Sequence, residues 1–301
     1  MDLVVVSESF MNRNIKQICQ SKTAMRNFAD FLKHERVPEH ASVEMIFGAK
    51  VPLIKFVDRI TGLKVDLSFE NDTGIIANGT FANWKAQFPA MPIIVTLIKQ
   101  FLMMRGLNEV VNGGLGGFSV TCLVTSLLQN MPEVQRGALI PEQHLGFILM
   151  EFFNLYGNEF NTTTTGIRLN PPGYFDKVCC AFVQIYGSQT DALKRTAPGR
   201  PYQANKLHKL VIIDPNRSDN DISGGTKNIL TILEHFAEAH RTLQRRMAAL
   251  SQADFTSQDT ESVLGTILAG NYSAFETQRN RLRRLYDERC GVLISSQCFK
   301  S

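Results

Sequence analysis

Strand-like runs and helical runs are segregated in this chain, with the change near Asn78, and that segregation limits the fold more than anything else in it. Leu3 to Val6 is a β-branched run that reads as a fully buried strand. Thr23 to His34 carries Met25, Phe28, Phe31 and Leu32 at helical spacing, the pattern of an amphipathic helix. Val43 to Phe47, Pro52 to Val57 and Lys64 to Phe69 follow as three strands, separated by Gly48-Ala49-Lys50 and by the Thr61-Gly62 turn. Past Asn78 the chain is mostly helical. Pro92 to Arg105 is an apolar helix whose cationic members are Lys99 and Arg105, with Pro92 suited to its first turn. Pro141 to Leu155, Asn228 to Ala239 and Phe275 to Glu288 are further helices, and Leu210 to Ile213 is a short strand. Asn161 to Gly173, Ala197 to Asn205 and Asn216 to Gly225 are polar or rich in Pro and Gly and read as loops. Strands first and helices after predict an α+β chain of two domains.

Length and composition agree with this. A chain of 301 residues with 44% hydrophobic and 20% charged residues can bury a substantial core. The net charge of +4 is mild, so affinity for nucleic acid must come from a local patch. Phe118 to Leu128 is among the longest uncharged stretches and falls short of a membrane span, so no membrane partner is expected. The segment Met1 to Val6 has no basic region of the signal-peptide kind. Cys19, Cys122, Cys179, Cys180, Cys290 and Cys298 show no CxxC spacing, and are expected to be reduced thiols in an intracellular protein.

Two stretches could carry chemistry. Gly113-Gly114-Leu115-Gly116-Gly117-Phe118-Ser119 runs straight into an apolar helix, so free N–H groups at a helix start could face an anion; a purely structural turn fits the same residues. It is not a P-loop, because no Lys-Ser/Thr follows the last glycine. In the alternating strand Lys64 to Phe69, Asp66 points away from Val65 and Leu67, either to solvent or towards a second carboxylate. Asp2, just before Leu3, is the candidate partner. Adjacent carboxylates repel unless a cation neutralises them, and Mg²⁺ takes a few such oxygens together with substrate phosphates. Arg241, Arg245, Arg246, Arg279, Arg281, Arg283 and Arg284 form either a solvated face or a track for an RNA backbone.

Taken in order, Met1-Asp2-Leu3-Val4-Val5-Val6, Lys64-Val65-Asp66-Leu67-Ser68-Phe69, Ile98-Lys99-Gln100-Phe101-Leu102, Arg105-Gly106-Leu107-Asn108 and the glycine stretch resemble the DNA-polymerase-β-like nucleotidyltransferase superfamily. Within it the chain is similar to the non-canonical poly(A) polymerases. The GGLGGFS sequence and the loop Asp214-Pro215 to Gly225 resemble the fungal nuclear members that belong to the TRAMP complex.

The resemblance implies a partial polymerase-β-like sheet (palm) domain over residues 1–72 and a mostly helical, PAP-associated central domain over 73–290. A nucleotide-recognition loop falls near 214–226, a tail covers 291–301, and the active site lies between the domains. It implies template-independent transfer of AMP from ATP to an RNA 3′ end with Mg²⁺ or Mn²⁺, tagging nuclear RNA for the exosome. Uridylate or mixed-nucleotide transfer, or an inactive scaffold, are the alternatives. Asp2 and Asp66 match catalytic metal-binding carboxylates, and Lys99 matches a lysine that contacts the triphosphate. Gly117 offers its backbone N–H to phosphate, and Phe118 stacks on the base or is simply a core residue. Asn220 and Asp221 lie in the base-reading loop, where the lack of a His favours ATP, and Asn78 falls near the sugar. A zinc-knuckle RNA-binding protein and a DExH-box helicase are the implied partners, and the nucleus, including the nucleolus, the implied location. The family's Gly-Ser helix and first metal carboxylate would precede Met1, so an N-terminally shortened or degenerate chain that polymerises poorly is expected.

Overall fold

The structure, a computed structural model, describes residues 1–6, 21–48, 51–69, 73–177, 208–252, 262–268 and 270–298. Two compact units divide it: Met1–Ile76 with Asn271–Ser301, and Ala77–Gly270.

The first unit is built on a four-stranded sheet of order β1-β4-β3-β2, from β1 (Asp2–Val5), β2 (Glu44–Ile46), β3 (Leu53–Val57) and β4 (Lys64–Phe69). β1 runs parallel to β4, and the other pairs are antiparallel. A parallel pair needs a crossover, and helix α1 (Lys22–His34) lies in the intervening chain. Ser21 caps α1 by accepting the Ala24 N–H at 3.3 Å, and Lys33 and His34 suit its C-terminal dipole. Met25, Ala29 and Leu32 bury against Ile54, Phe56, Val65, Leu67 and Phe69, one complete face of β3 and β4. Each large apolar side chain so buried contributes about 1.5–3 kcal/mol. Alternation leaves Lys55, Lys64, Asp66 and Ser68 on the opposite face.

Two sequence expectations change here. Among the described residues β1 lies at the edge of the sheet, with Asp2 and Leu3 exposed, and is not a fully buried strand. β-Branched composition suits an edge as well as a centre, and nothing local distinguishes them. Phe31, expected on the apolar stripe of α1, is 55% exposed; Ala29 takes the buried position instead.

The second unit contains most of α2 (Thr73–Gln87), then α3 (Met91–Met103), α4 (Gly117–Asn130), α5 (Pro132–Gln135), α6 (Leu145–Asn154), α7 (Ile229–Ser251) and α8 (Gly265–Leu268). α4 is its axis, buried from Ser119 to Leu128. Against it and α3 pack Phe152, Phe153, Tyr156 and Phe236, in ring contacts of 4.9–5.9 Å that also take in Phe101. Among the described residues no single helix is long and apolar enough to cross a membrane; α2 and α3 pass together only as a pair bent by 120°.

Two of the three polar segments expected as loops contain strands. β5 (Thr165–Leu169) and β6 (Pro172–Asp176) form a hairpin around Asn170-Pro171, and β7 (Ile213–Asp214) pairs with β8 (Arg217–Asp221). Turn residues dominate hairpins this short, so the strands are not visible as apolar alternation. Ala197 to Asn205, Cys19, Cys179 and Cys180 lie outside the described residues. Cys122 is a free, buried thiol.

The final helix, α9 (Ser273–Cys298), belongs with the sheet unit, although the sequence reading counts it to residue 290 with the helical domain. Gln278 Nε2 donates to Gly62 O at 2.7 Å and Arg281 Nη2 to Arg59 O at 3.1 Å. These are polar contacts to the β3–β4 turn, where Gly62 takes a φ of +69°, and helical periodicity cannot reveal them.

Candidate functional site

In the sheet unit, the parallel pairing of β1 with β4 makes Asp2 the register partner of Asp66. The Asp66 N–H donates to Met1 O at 2.9 Å, holding the two strand ends together. Partners on adjacent strands share a face and stand about 4.8 Å apart, so the two carboxylates are side by side. Sequence alone could name both residues; the shared register is a product of the fold. Lys55, on the other flank of Asp66, was not foreseen. Its ammonium lies 3.3 Å from Asp66 Oδ2, with both side chains about one-third exposed.

The donor set is two hard carboxylate oxygens on an open sheet face, which suits Mg²⁺ or Mn²⁺ with the remaining positions filled by water or phosphate. Asp2 and Asp66 would hold that ion. Among the described residues no group of three or more His, Cys, Asp or Glu side chains could hold one.

In the helical unit the glycine turn is shaped by close approach. A Cβ on Gly114 would meet Leu107 O at 2.4 Å, and one on Gly116 would meet Val110 Cγ2 at 2.9 Å. Gly113, at φ +84°, ends a single 3₁₀ turn, and its carbonyl accepts the Asn228 N–H at 2.9 Å. The turn delivers the chain to α4 with Gly116 at the N-cap and no side chain capping the helix. Its first N–H groups are thus available to an anion. Lys99 projects from α3 over this point: its Cε and Nζ are 3.2 Å from where a Gly117 Cβ would stand. A flexible cation and a helix start are therefore brought together, as a phosphate requires.

Phe118 is half-buried and stacked on Trp84, centroids 6.3 Å apart and planes 17° from parallel. The sequence reading missed Trp84, which sits within α2, a helix without a clear apolar stripe. Asn78 lies on the same helix, exposed. Two residues later Thr80 donates to Asn216 Oδ1 at 2.7 Å, tying α2 to the β7–β8 turn.

The β7–β8 hairpin and the turn after it carry Asn220 and Asp221. Asn220 Nδ2 donates to Asp214 Oδ2 at 2.8 Å, and Asp214 Oδ1 accepts the Asn216 N–H at 2.9 Å. Asp221 Oδ1 accepts the N–H groups of Ser223 (2.9 Å) and Ile212 (3.2 Å) and lies 2.7 Å from Ser223 Oγ. That oxygen therefore organises the loop from inside. Ser119 Oγ lies 3.4 Å from Ile222 O, linking the loop to the glycine-turn helix. Beneath it sits Lys177, 1% exposed, whose ammonium donates to Thr162 O and, at 2.8 Å, to Lys209 O. Burial pushes its pKa down to about 8, against the Asp221 carboxylate.

Two family models match these regions: "Poly(A) RNA polymerase, mitochondrial-like, central palm domain" over residues 1–84 and "Cid1 family poly A polymerase" over 144–220. The chain is similar to poly(A) RNA polymerase protein 2 of Saccharomyces cerevisiae, at 34% identity over 91% of this chain and 42% of that protein. It thus spans less than half the length of that relative. It is also similar, at 28% identity over 79% of this chain and 53% of the other, to the Drosophila melanogaster inactive non-canonical poly(A) RNA polymerase protein Trf4-2. A solved structure of the polymerase core of TRAMP, an RNA surveillance complex, superimposes with a TM-score of 0.70 at 32% identity, over 83% of this chain and 72% of that one. Carboxylates paired on a palm-like sheet, a glycine turn beneath a helix lysine and this agreement over most of both chains lead to one conclusion: the chain belongs to the non-canonical poly(A) RNA polymerase family of nucleotidyltransferases.

Proposed function

We propose that this protein transfers AMP from ATP to the 3′-hydroxyl of RNA without a template, tagging nuclear RNA for the exosome. The observation that carries the reading is the register of Asp2 with Asp66 on neighbouring parallel strands, since phosphoryl transfer to a hydroxyl needs carboxylates held this way. A divalent cation, Mg²⁺ or Mn²⁺, would supply charge neutralisation at the phosphates. Asp66 orients the attacking hydroxyl and draws off its proton. Lys99 and the N–H groups that begin α4 take the triphosphate, with Gly117 admitting it close to the backbone. Phe118, backed by Trp84, stacks on the base; Asn78 lies towards the sugar. Asn220 reads the base edge from a loop that Asp221 holds in shape. The relatives' names support poly(A) synthesis, and the likeness to the polymerase core of TRAMP, an RNA surveillance complex, supports RNA as the substrate; the nucleus as location and a zinc-knuckle RNA-binding protein and a DExH-box helicase as partners complete the proposal.

The test is tailing of a labelled RNA primer with each NTP supplied separately. ATP is expected to extend it fastest, and Asp66→Asn to abolish extension. Equal use of UTP would overturn the adenylate assignment, and extension indifferent to Asp66→Asn would overturn the site. A second reading, a non-catalytic scaffold, draws on the two-carboxylate set and the relative named as inactive. It requires that Asp66→Asn leave RNA turnover in cells unchanged.

A further inference from the structure

Four charged side chains cross the open face of the sheet in one transverse row. Glu44 on β2 is the register partner of Lys55 on β3, Lys55 of Asp66 on β4, and Asp66 of Asp2 on β1. Register partners share a face and lie close enough to interact, so the row reads minus, plus, minus, minus. Lys55 is flanked by a carboxylate on each side. Its ammonium is 3.3 Å from Asp66 Oδ2 while 30% of its side chain remains exposed, a placement its four-carbon stem can leave without moving the backbone.

Two adjacent carboxylates repel, and Lys55 offsets that repulsion at Asp66. The same ammonium opposes any divalent cation that Asp2 and Asp66 take up. We propose that Lys55 is the resident counter-ion of the carboxylate pair, neutralising Asp66 until a divalent cation arrives and then passing to its other register partner, Glu44. Lys55 is thus a positioning residue that acts through Asp66. It keeps the pair in place and weakens its hold on bare metal, so the cation binds best with the phosphates that add further ligands. The inference rests on the metal-binding reading of Asp2 and Asp66.

Mn²⁺ binding to the 301-residue chain, followed by the EPR signal of free Mn²⁺ at low ionic strength, tests it without reference to activity. Lys55→Gln removes the competing charge and is expected to tighten Mn²⁺ binding by about tenfold, the worth of a unit charge roughly 5 Å from a divalent ion in a water-like medium. Lys55→Arg keeps the charge and is expected to change binding by less than about twofold. Glu44→Gln removes the carboxylate that would receive Lys55 and is expected to weaken binding by about threefold, an effect that disappears in the Lys55→Gln background if the two residues are coupled. Unchanged or weaker binding in Lys55→Gln overturns the proposal, and a Glu44→Gln effect that persists without Lys55 overturns the transfer to Glu44. Asp66→Asn separates the two levels. If it abolishes binding while Lys55→Gln has no effect, the carboxylate site stands and the counter-ion proposal fails. If binding ignores Asp66, the metal reading fails and the proposal with it.

Discussion

Replacing Gly114 by alanine adds one methyl group at the most crowded point of the glycine turn. Its Cβ would lie 2.4 Å from Leu107 O, 2.6 Å from Leu107 C and 2.9 Å from Glu109 N, all of them backbone atoms. Ordinary contact begins at 3.4 Å, so the strands of the turn must part by about 1 Å. Two hydrogen bonds span that gap: Leu115 N to Leu107 O at 2.8 Å and Gly114 N to Glu109 O at 2.9 Å. Losing both costs roughly 2 kcal/mol, and overpacking adds about 1–3 kcal/mol. Gly114 does not occupy the left-handed region, so alanine regains up to about 1 kcal/mol by restricting the unfolded chain. The net expectation is a loss of about 2–4 kcal/mol, a large part of a domain's stability. Trp84 is the only tryptophan, lies in the helical unit and stacks on Phe118, so its fluorescence in urea reports on that unit. With a slope near 2 kcal/mol per molar urea, the midpoint should fall by about 1–2 M. Gly117→Ala is the control. Its Cβ meets only the mobile end of Lys99, at 3.2 Å, so stability should stay within about 1 kcal/mol while ATP binding weakens as the ammonium is displaced. A midpoint shift below about 0.3 M for Gly114→Ala, or an equal loss in both variants, would refute the argument from close approach.

Phe118→Leu keeps the core volume but removes the stacking face, so ATP affinity should fall by about 5- to 20-fold in a direct binding titration; an unchanged affinity would make Phe118 a core residue only. Asp221→Ala deletes the acceptor of the Ser223 and Ile212 N–H groups, and amide exchange at both should accelerate by at least about tenfold. Lys177 binds its proton more weakly folded, at a pKa of about 8, than unfolded, at 10.5. Between those values the unfolded chain holds more protons, so this residue makes stability rise as pH climbs from 8 to 10.5. Subtracting the urea stability of Lys177→Met should reveal that slope; a flat or falling difference would contradict it. With a two-carboxylate set, tailing by the 301-residue chain should be slow, and brisk Mg²⁺-dependent extension would show that the set described here suffices.

Much of this was legible in residue order because the signals are local. Alternation in Lys64 to Phe69 put Val65 and Leu67 on one face and Asp66 on the other, and the strand is found in that arrangement. Gly113 to Gly117 announced a turn before a helix, and α4 begins at Gly117. Failures occurred where polar side-chain hydrogen bonds, local or distant, decide the conformation. The β7–β8 hairpin is held by Asp214 and Asp221 side chains, and its residues resemble a loop until those hydrogen bonds are seen. α9 joins the sheet unit through Gln278 and Arg281, which contact carbonyls more than 200 positions earlier.

By itself the sequence determined which residues could carry charge, stacking or close backbone approach, because side-chain chemistry and local periodicity are properties of short segments. Tertiary structure alone decided which of them meet. Asp2 and Asp66 are neighbours because β1 adds to the sheet in parallel and in one register, and a one-residue slip would send one carboxylate to the opposite face. The same register brings Lys55 to Asp66 and Glu44 to Lys55, and packing of α3 on α4 brings Lys99 to Gly117. Register is a collective outcome of a buried face, written in no single strand.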